Sequence, residues 1–160
     1  MRRNGFSLIE LIVAIGIIGI LSTVGAFAWQ RYVDNSNLRT AARGVETDMF
    51  SIREKSISER INYRITFNIS ANTYTIDQET APGTGVYTTT TPPNQTKSPA
   101  TYGTGITLLS TTLVGGQLVL QPRGTPAGTL GNIVLTNSRN STATITINIT
   151  GRTRVQFAIQ

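Results

Sequence analysis

The hydrophobic pattern along the chain changes period twice. From Phe6 to Trp29 the residues are nearly all apolar, and the nineteen from Leu11 to Trp29 carry no charge. At ~1.5 Å per helical residue such a stretch reaches across a hydrocarbon layer of ~30 Å. From Gln30 to about residue 60 the chain turns polar, with Leu38, Ala41, Ala42, Val45, Met49 and Ile52 recurring at steps of three and four. That spacing predicts an amphipathic helix with one apolar stripe, expected to pack on the domain's own sheet. No proline precedes Pro82, so both stretches read as one helix from near Leu8 to near Arg60, ~80 Å long. Asn35 and Gly44 are its weakest points.

Beyond Arg60 the period falls to two. Ile61, Tyr63, Ile65, Phe67 and Ile69 alternate with polar residues, the mark of a half-buried strand. Ser70 to Asn72 form a turn into a second strand through Tyr74 and Ile76. Further strands are expected at Ile106–Leu109, Leu118–Gln121, Ile133–Thr136, Ala143–Ile149 and Val155–Ile159. Residues 80–105 hold four prolines, four glycines and a run of threonines from Thr88 to Thr91, and read as an irregular surface loop, mobile or loosely laid on the sheet. A long helix followed by an antiparallel sheet or sandwich is an α+β architecture. The chain thus divides into a polar leader (1–5), a membrane-grade helix (6–29), an amphipathic helix (30–60) and a β domain (61–160).

Composition then removes most chemistry. The 160 residues include no Cys and no His, which excludes thiolate nucleophiles, disulfides, Cys/His zinc sites and imidazole bases. All eight acids lie at or before Glu79, so the second half offers no carboxylate for proton transfer or for a hard cation. The glycine-rich run from Gly124 to Gly131 lacks the Lys-Ser/Thr end and the following helix of a phosphate loop. A Ser/Lys pair on Lys55 or Lys97 has little support, since both read as exposed and outside any pocket-forming motif. The expectation is a non-enzymatic protein without cofactor or metal. The net charge of +6 sits mainly in residues 80–160, where Lys97, Arg123, Arg139, Arg152 and Arg154 face no acid. Such asymmetry fits an anionic partner or a solvated surface.

Glu10 stands out within the apolar stretch, where a charge costs ~2.5–3.5 kcal/mol at mid-membrane and less near an interface. One reading of the N-terminus is a secretory signal peptide, with Ala26-Phe27-Ala28 as cleavage site and a secreted β domain as product. Its apolar core, however, exceeds the usual 7–15 residues. The other reading starts from Gly5-Phe6-Ser7-Leu8-Ile9-Glu10-Leu11, which resembles the processing site of type IV prepilins and type II secretion pseudopilins. The resemblance implies that a prepilin peptidase in the membrane cuts after Gly5 and methylates Phe6. It makes Glu10 the fifth mature residue, an assembly glutamate that pairs with a neighbouring subunit's N-terminal amine. Gly16, Gly19 and Gly25 would let filament-core helices approach closely. It further implies a protein of the bacterial inner membrane, single-pass with a periplasmic C-terminal domain, that moves into a pilus or pseudopilus among other pilin subunits.

The order of strands, the Gln121-Pro122-Arg123-Gly124 segment and Thr150-Gly151-Arg152-Thr153-Arg154-Val155 resemble minor pilins and pseudopilins of the GspH/FimT type. In an extended segment Arg152 and Arg154 share one face roughly 7 Å apart, with Thr153, Val155, Phe157 and Ile159 turned to the other, Phe157 facing inward. That spacing approximates successive phosphates on one nucleic-acid strand, and in some members of the resembled family a GRxR motif is associated with DNA capture for natural transformation. The same arginines could equally keep an edge strand from aggregating. The candidate DNA-binding set is Arg152, Arg154, Arg139, Arg123 and Lys97. Filament subunit, DNA-capturing minor pilin and secreted β domain are the three functions the sequence supports.

Overall fold

In a computed structural model of the protein the described residues are 8–88, 96–128 and 130–160, with the side chains of residues 23–28 outside that description. Two compact units emerge, Met1–Val33 and Asp34–Gln160. A single helix, α1 (Leu8–Glu59), contributes to both. In the first unit every large apolar side chain from Leu8 to Leu21 is more than half exposed. Among the described residues no helix is long and apolar enough to cross a membrane; the apolar run continues in sequence through residues 23–28.

In the second unit the expected stripe is buried, with Leu38, Ala41, Ala42 and Val45 at 0% exposure and Met49 and Ile52 close behind. The helix stops at Glu59, where Arg60 turns left-handed with φ 57°, the usual geometry just past a helix end. Among the described residues nine strands follow: β1 (Tyr63–Asn68), β2 (Thr73–Glu79), β3 (Tyr87–Thr88), β4 (Thr107–Thr111), β5 (Gln117–Leu120), β6 (Pro126–Ala127), β7 (Asn132–Thr136), β8 (Thr142–Ile147) and β9 (Thr153–Ala158). They form two antiparallel sheets, ordered β3-β2-β1-β5-β6 and β4-β7-β8-β9. Inward residues of both sheets, among them Ile65, Leu118, Leu135 and Ile145, join the helix stripe in one apolar cluster. The fold is α+β.

Three expectations shift. The strand expected to reach Ile149 ends at Ile147, because the Asn148 side chain accepts hydrogen bonds from the N–H groups of Thr150 (3.1 Å) and Arg152 (2.9 Å) and so folds the turn locally; Ile149 is 70% exposed. The two-residue strands β3 and β6 are too short to show a period. Third, the described parts of the 80–105 loop are tied down, while residues 89–95 lie outside the described residues. Tyr74 and Lys97 exchange both backbone hydrogen bonds, at 2.8 and 2.9 Å. The Tyr102 ring packs so closely over Gly44 that a Cβ there would overlap it, and a Cβ on Gly103 would overlap the Asn37 carbonyl. Gly44 is therefore a seat for the loop and leaves the helix unbroken.

Candidate functional sites

The leader and the first mature residue of the prepilin reading, Gly5 and Phe6, lie outside the described residues. Glu10 sits in the first turn of α1, where the helix dipole favours an anion. It is exposed between Ile9 (66%) and Leu11 (56%).

The five basic residues of the C-terminal half separate into two groups. Lys97, expected on a loose loop, is half-buried: its ammonium donates to Asp48 Oδ1 at 2.6 Å and to the Tyr102 hydroxyl at 3.3 Å. Burial alone would lower its pKa, but these two hydrogen bonds outweigh it and the value rises. Arg139 Nε donates to Asp34 Oδ2 at 2.7 Å, pinning the β7–β8 turn to the helix. Neither is a free cation. Arg123, Arg152 and Arg154 are exposed and stand in none of the three described salt bridges.

Arg152 and Arg154 flank Thr153 at the start of β9, whose inner positions Thr153 and Val155 are half-buried while Arg154 and Gln156 face out. The alternation read from sequence holds there. It weakens at Phe157, expected to face inward, which is 36% exposed, and at Ile159, 40% exposed: among the described residues β9 is the last strand of its sheet.

Sequence reasoning missed Arg53, the residue that holds this corner together. Its Nε donates to the Gly124 carbonyl at 2.8 Å and its Nη2 to the Thr150 carbonyl at 3.4 Å. Gly151, at φ 74°, lies so close to the Gly124 carbonyl that any Cβ would collide with it. Both glycines quoted from the C-terminal resemblance thus meet at one helix arginine, which gives them a packing reason independent of any ligand. Glu46 Oε1 accepts from the Thr153 hydroxyl at 3.0 Å. A cavity of about 280 Å³ remains here, lined by Phe50, Arg53, Gly151, Arg152 and Thr153.

Asp48 was missed as well. Its carboxylate accepts from Lys97, from Tyr102 (2.6 Å) and from the Tyr74 hydroxyl. The only sequence signal was a carboxylate at the border of an apolar stripe, and its partners lie 26 to 54 residues away.

Residues 1–26 match the family model of the prokaryotic N-terminal methylation motif. No curated protein matches the sequence. The minor pseudopilin EpsH of the type 2 secretion system of Vibrio cholerae is similar in structure, with a TM-score of 0.59 at 13% identity over 76% of this chain and 97% of EpsH. The type IV minor pilin FimU of Pseudomonas aeruginosa is similar in two crystal forms. One gives a TM-score of 0.56 at 15% identity over 78% of this chain and 92% of FimU, the other 0.53 at 14% identity over 74% and 92%. At such identities the likeness shows the fold. The chain thus joins a methylation-motif N-terminus to a fold that it shares with a minor pseudopilin and a type IV minor pilin.

Proposed function

We propose that the chain is a non-enzymatic minor subunit of a type IV pilus or type II secretion pseudopilus. Prepilin peptidase cuts it after Gly5 and methylates Phe6. The protein rests in the inner membrane with its β domain in the periplasm until it joins the filament. The observation that carries this reading is the first half of α1: its large side chains from Leu8 to Leu21 are exposed, and a helix apolar all round needs lipid or other helices to cover it. Release at Ala28 would discard that half of a helix continuous from Leu8 to Glu59. Glu10 then meets its counter-charge only in the filament, as a neighbour's N-terminal amine, since a lone carboxylate among packed helices is costly.

Mass spectrometry of the native protein tests the processing: the chain is expected to begin at N-methylated Phe6, and a start at Trp29 overturns the reading. Glu10→Ala should remove the protein from sheared filaments while leaving its β domain folded.

The exposed Arg123, Arg152 and Arg154 support a second role, duplex DNA bound through its phosphates without base specificity. Lys97 and Arg139, both engaged, belong to the architecture instead. Binding should fall with salt at a log-log slope of about −2 to −3. Arg152→Gln with Arg154→Gln should cut that slope by about two units at near-physiological salt. Unchanged binding there removes the role.

A further inference from the structure

The described sheets have four edges, and three are poor templates for another strand. β3 and β6 are two residues long, and β4 is bulged between Leu108 and Ser110. The fourth, β9, pairs with β8 over six residues without a register shift, from Thr142↔Ala158 to Ile147↔Thr153. It contains no proline, and among the described residues no strand pairs with its outer edge.

The register fixes which peptide groups are open. Asn148 N–H donates to the Arg152 carbonyl at 3.0 Å, so Arg152 is a hydrogen-bonded partner on the β8 side. In an antiparallel ladder such positions alternate, which assigns Arg154, Gln156 and Ala158 to β8. The N–H and C=O groups of Thr153, Val155 and Phe157 therefore point away from the sheet along the open edge. A cavity of about 280 Å³ lies at the start of this edge, with the half-exposed Phe50 ring and the Arg53 and Arg152 side chains in its wall. Arg152 and Arg154 give the outer face of the edge a positive charge, and residues 80–160 hold no acid; the nearby Glu46 is engaged by Thr153.

We infer that the open edge of β9 takes an extended, acidic segment of another filament subunit as an added antiparallel or parallel strand. Main-chain hydrogen bonds to Thr153, Val155 and Phe157 supply the grip. Glutamates or aspartates on the face of Arg152 and Arg154, and one side chain in the Phe50 cavity, supply the choice of partner. Nucleic acid could use the arginines but has no strand backbone to pair with the three open peptide groups, so the edge favours a peptide. The inference rests on the filament reading only for the source of the strand.

The test uses the full chain in a nonionic detergent and two fluorescent nine-residue peptides, one alternating Val with Glu and the other Val with Lys. The Glu peptide should bind at least tenfold more tightly than the Lys peptide. Val155→Pro removes an outward N–H and leaves the β8 ladder intact, and should weaken the Glu peptide at least tenfold while circular dichroism stays unchanged. If Val155→Pro disturbs the sheet, Phe157→Pro removes another outward N–H and takes its place. Equal binding of the two peptides, or Glu-peptide binding indifferent to an outward proline in a folded variant, overturns the inference. So does a chain that binds duplex DNA through Arg152 and Arg154 but neither peptide. None of these results depends on where the N-terminus is processed, which mass spectrometry decides separately.

Discussion

The two halves of α1 carry apolar side chains under opposite conditions. Between Leu8 and Leu21 the large ones are 53–76% exposed, whereas the stripe from Leu38 to Ile52 is at most 5% exposed. The difference lies in angular distribution as much as in hydrophobicity. The second half gathers most of its apolar residues into one buried stripe that joins the core of both sheets, with Phe50 and Ile57 left outside it, while the first spreads Ile, Leu and Val around the whole helix, a pattern no single sheet face could satisfy. The first half is therefore shaped for surroundings outside the chain, and the second for the interior of its own domain.

An aspartate placed in each half gives the largest separation. Val45→Asp buries an unpaired charge at a position with 0% exposure and should lower stability by about 3–5 kcal/mol. Ile15→Asp, at a position 61% exposed, should leave the thermal transition of the β domain in place and abolish filament entry. Chemical denaturation of both variants in one detergent measures the first effect, and immunoblots of sheared filaments the second. Equal losses of domain stability would erase the distinction.

The carboxylates of the two halves should differ in the same sense by a smaller amount. Asp48→Ala leaves Lys97, Tyr74 and Tyr102 without their common acceptor and should cost about 2–3 kcal/mol. Glu10→Ala should cost the domain nothing, because Glu10 belongs to the first unit. Glycines extend the series. Gly44→Val drives a side chain into the Tyr102 ring and should cost about 1–3 kcal/mol, while Gly16 has nothing within 4 Å of a Cβ position. Gly16→Val should leave domain stability unchanged and show its effect only in assembly.

Legibility followed sequence separation. The stripe of α1 and the alternating strands were readable because period is local: each residue's face follows from its neighbours two to four positions away. The prepilin motif was readable because it is contiguous. What escaped were the long-range polar ties. The clasp of Lys97 on Asp48 spans 49 residues and that of Arg53 on Gly124 spans 71. No periodicity reports which distant donor a carboxylate will meet. For the same reason the loop's prolines and glycines suggested mobility, although Gly103 and Tyr102 pack against α1. Among the basic residues, sequence could count charges but could not separate the paired Lys97 and Arg139 from the exposed Arg152 and Arg154.

The smallest effect concerns the alkaline limit of the second half's clasp. Tyr74 is 1% exposed and donates to Asp48; burial first, then the adjacent carboxylate, push its pKa far above the ordinary 10.0. Lys97 is also raised above its ordinary 10.5. Both groups hold their protons more firmly folded than unfolded. Their stabilisation is therefore complete below pH 10 and is lost as the pH climbs, because the unfolded chain releases these protons first and is favoured by doing so. For Tyr74 alone the slope approaches about 1.4 kcal/mol per pH unit once the unfolded phenol ionises. Tyr74→Phe should cost only about 1 kcal/mol at pH 7, the worth of one hydrogen bond, yet flatten the loss of stability between pH 10 and 11. Lys97→Met should flatten it less, since that ammonium keeps 26% of its side-chain surface in solvent. Among the described residues the first half of α1 contributes no such clasp, so Glu10→Ala should superimpose on the parent's alkaline curve. A Tyr74→Phe chain that unfolds along that same curve would place the titrating group elsewhere and leave the clasp as geometry without linkage.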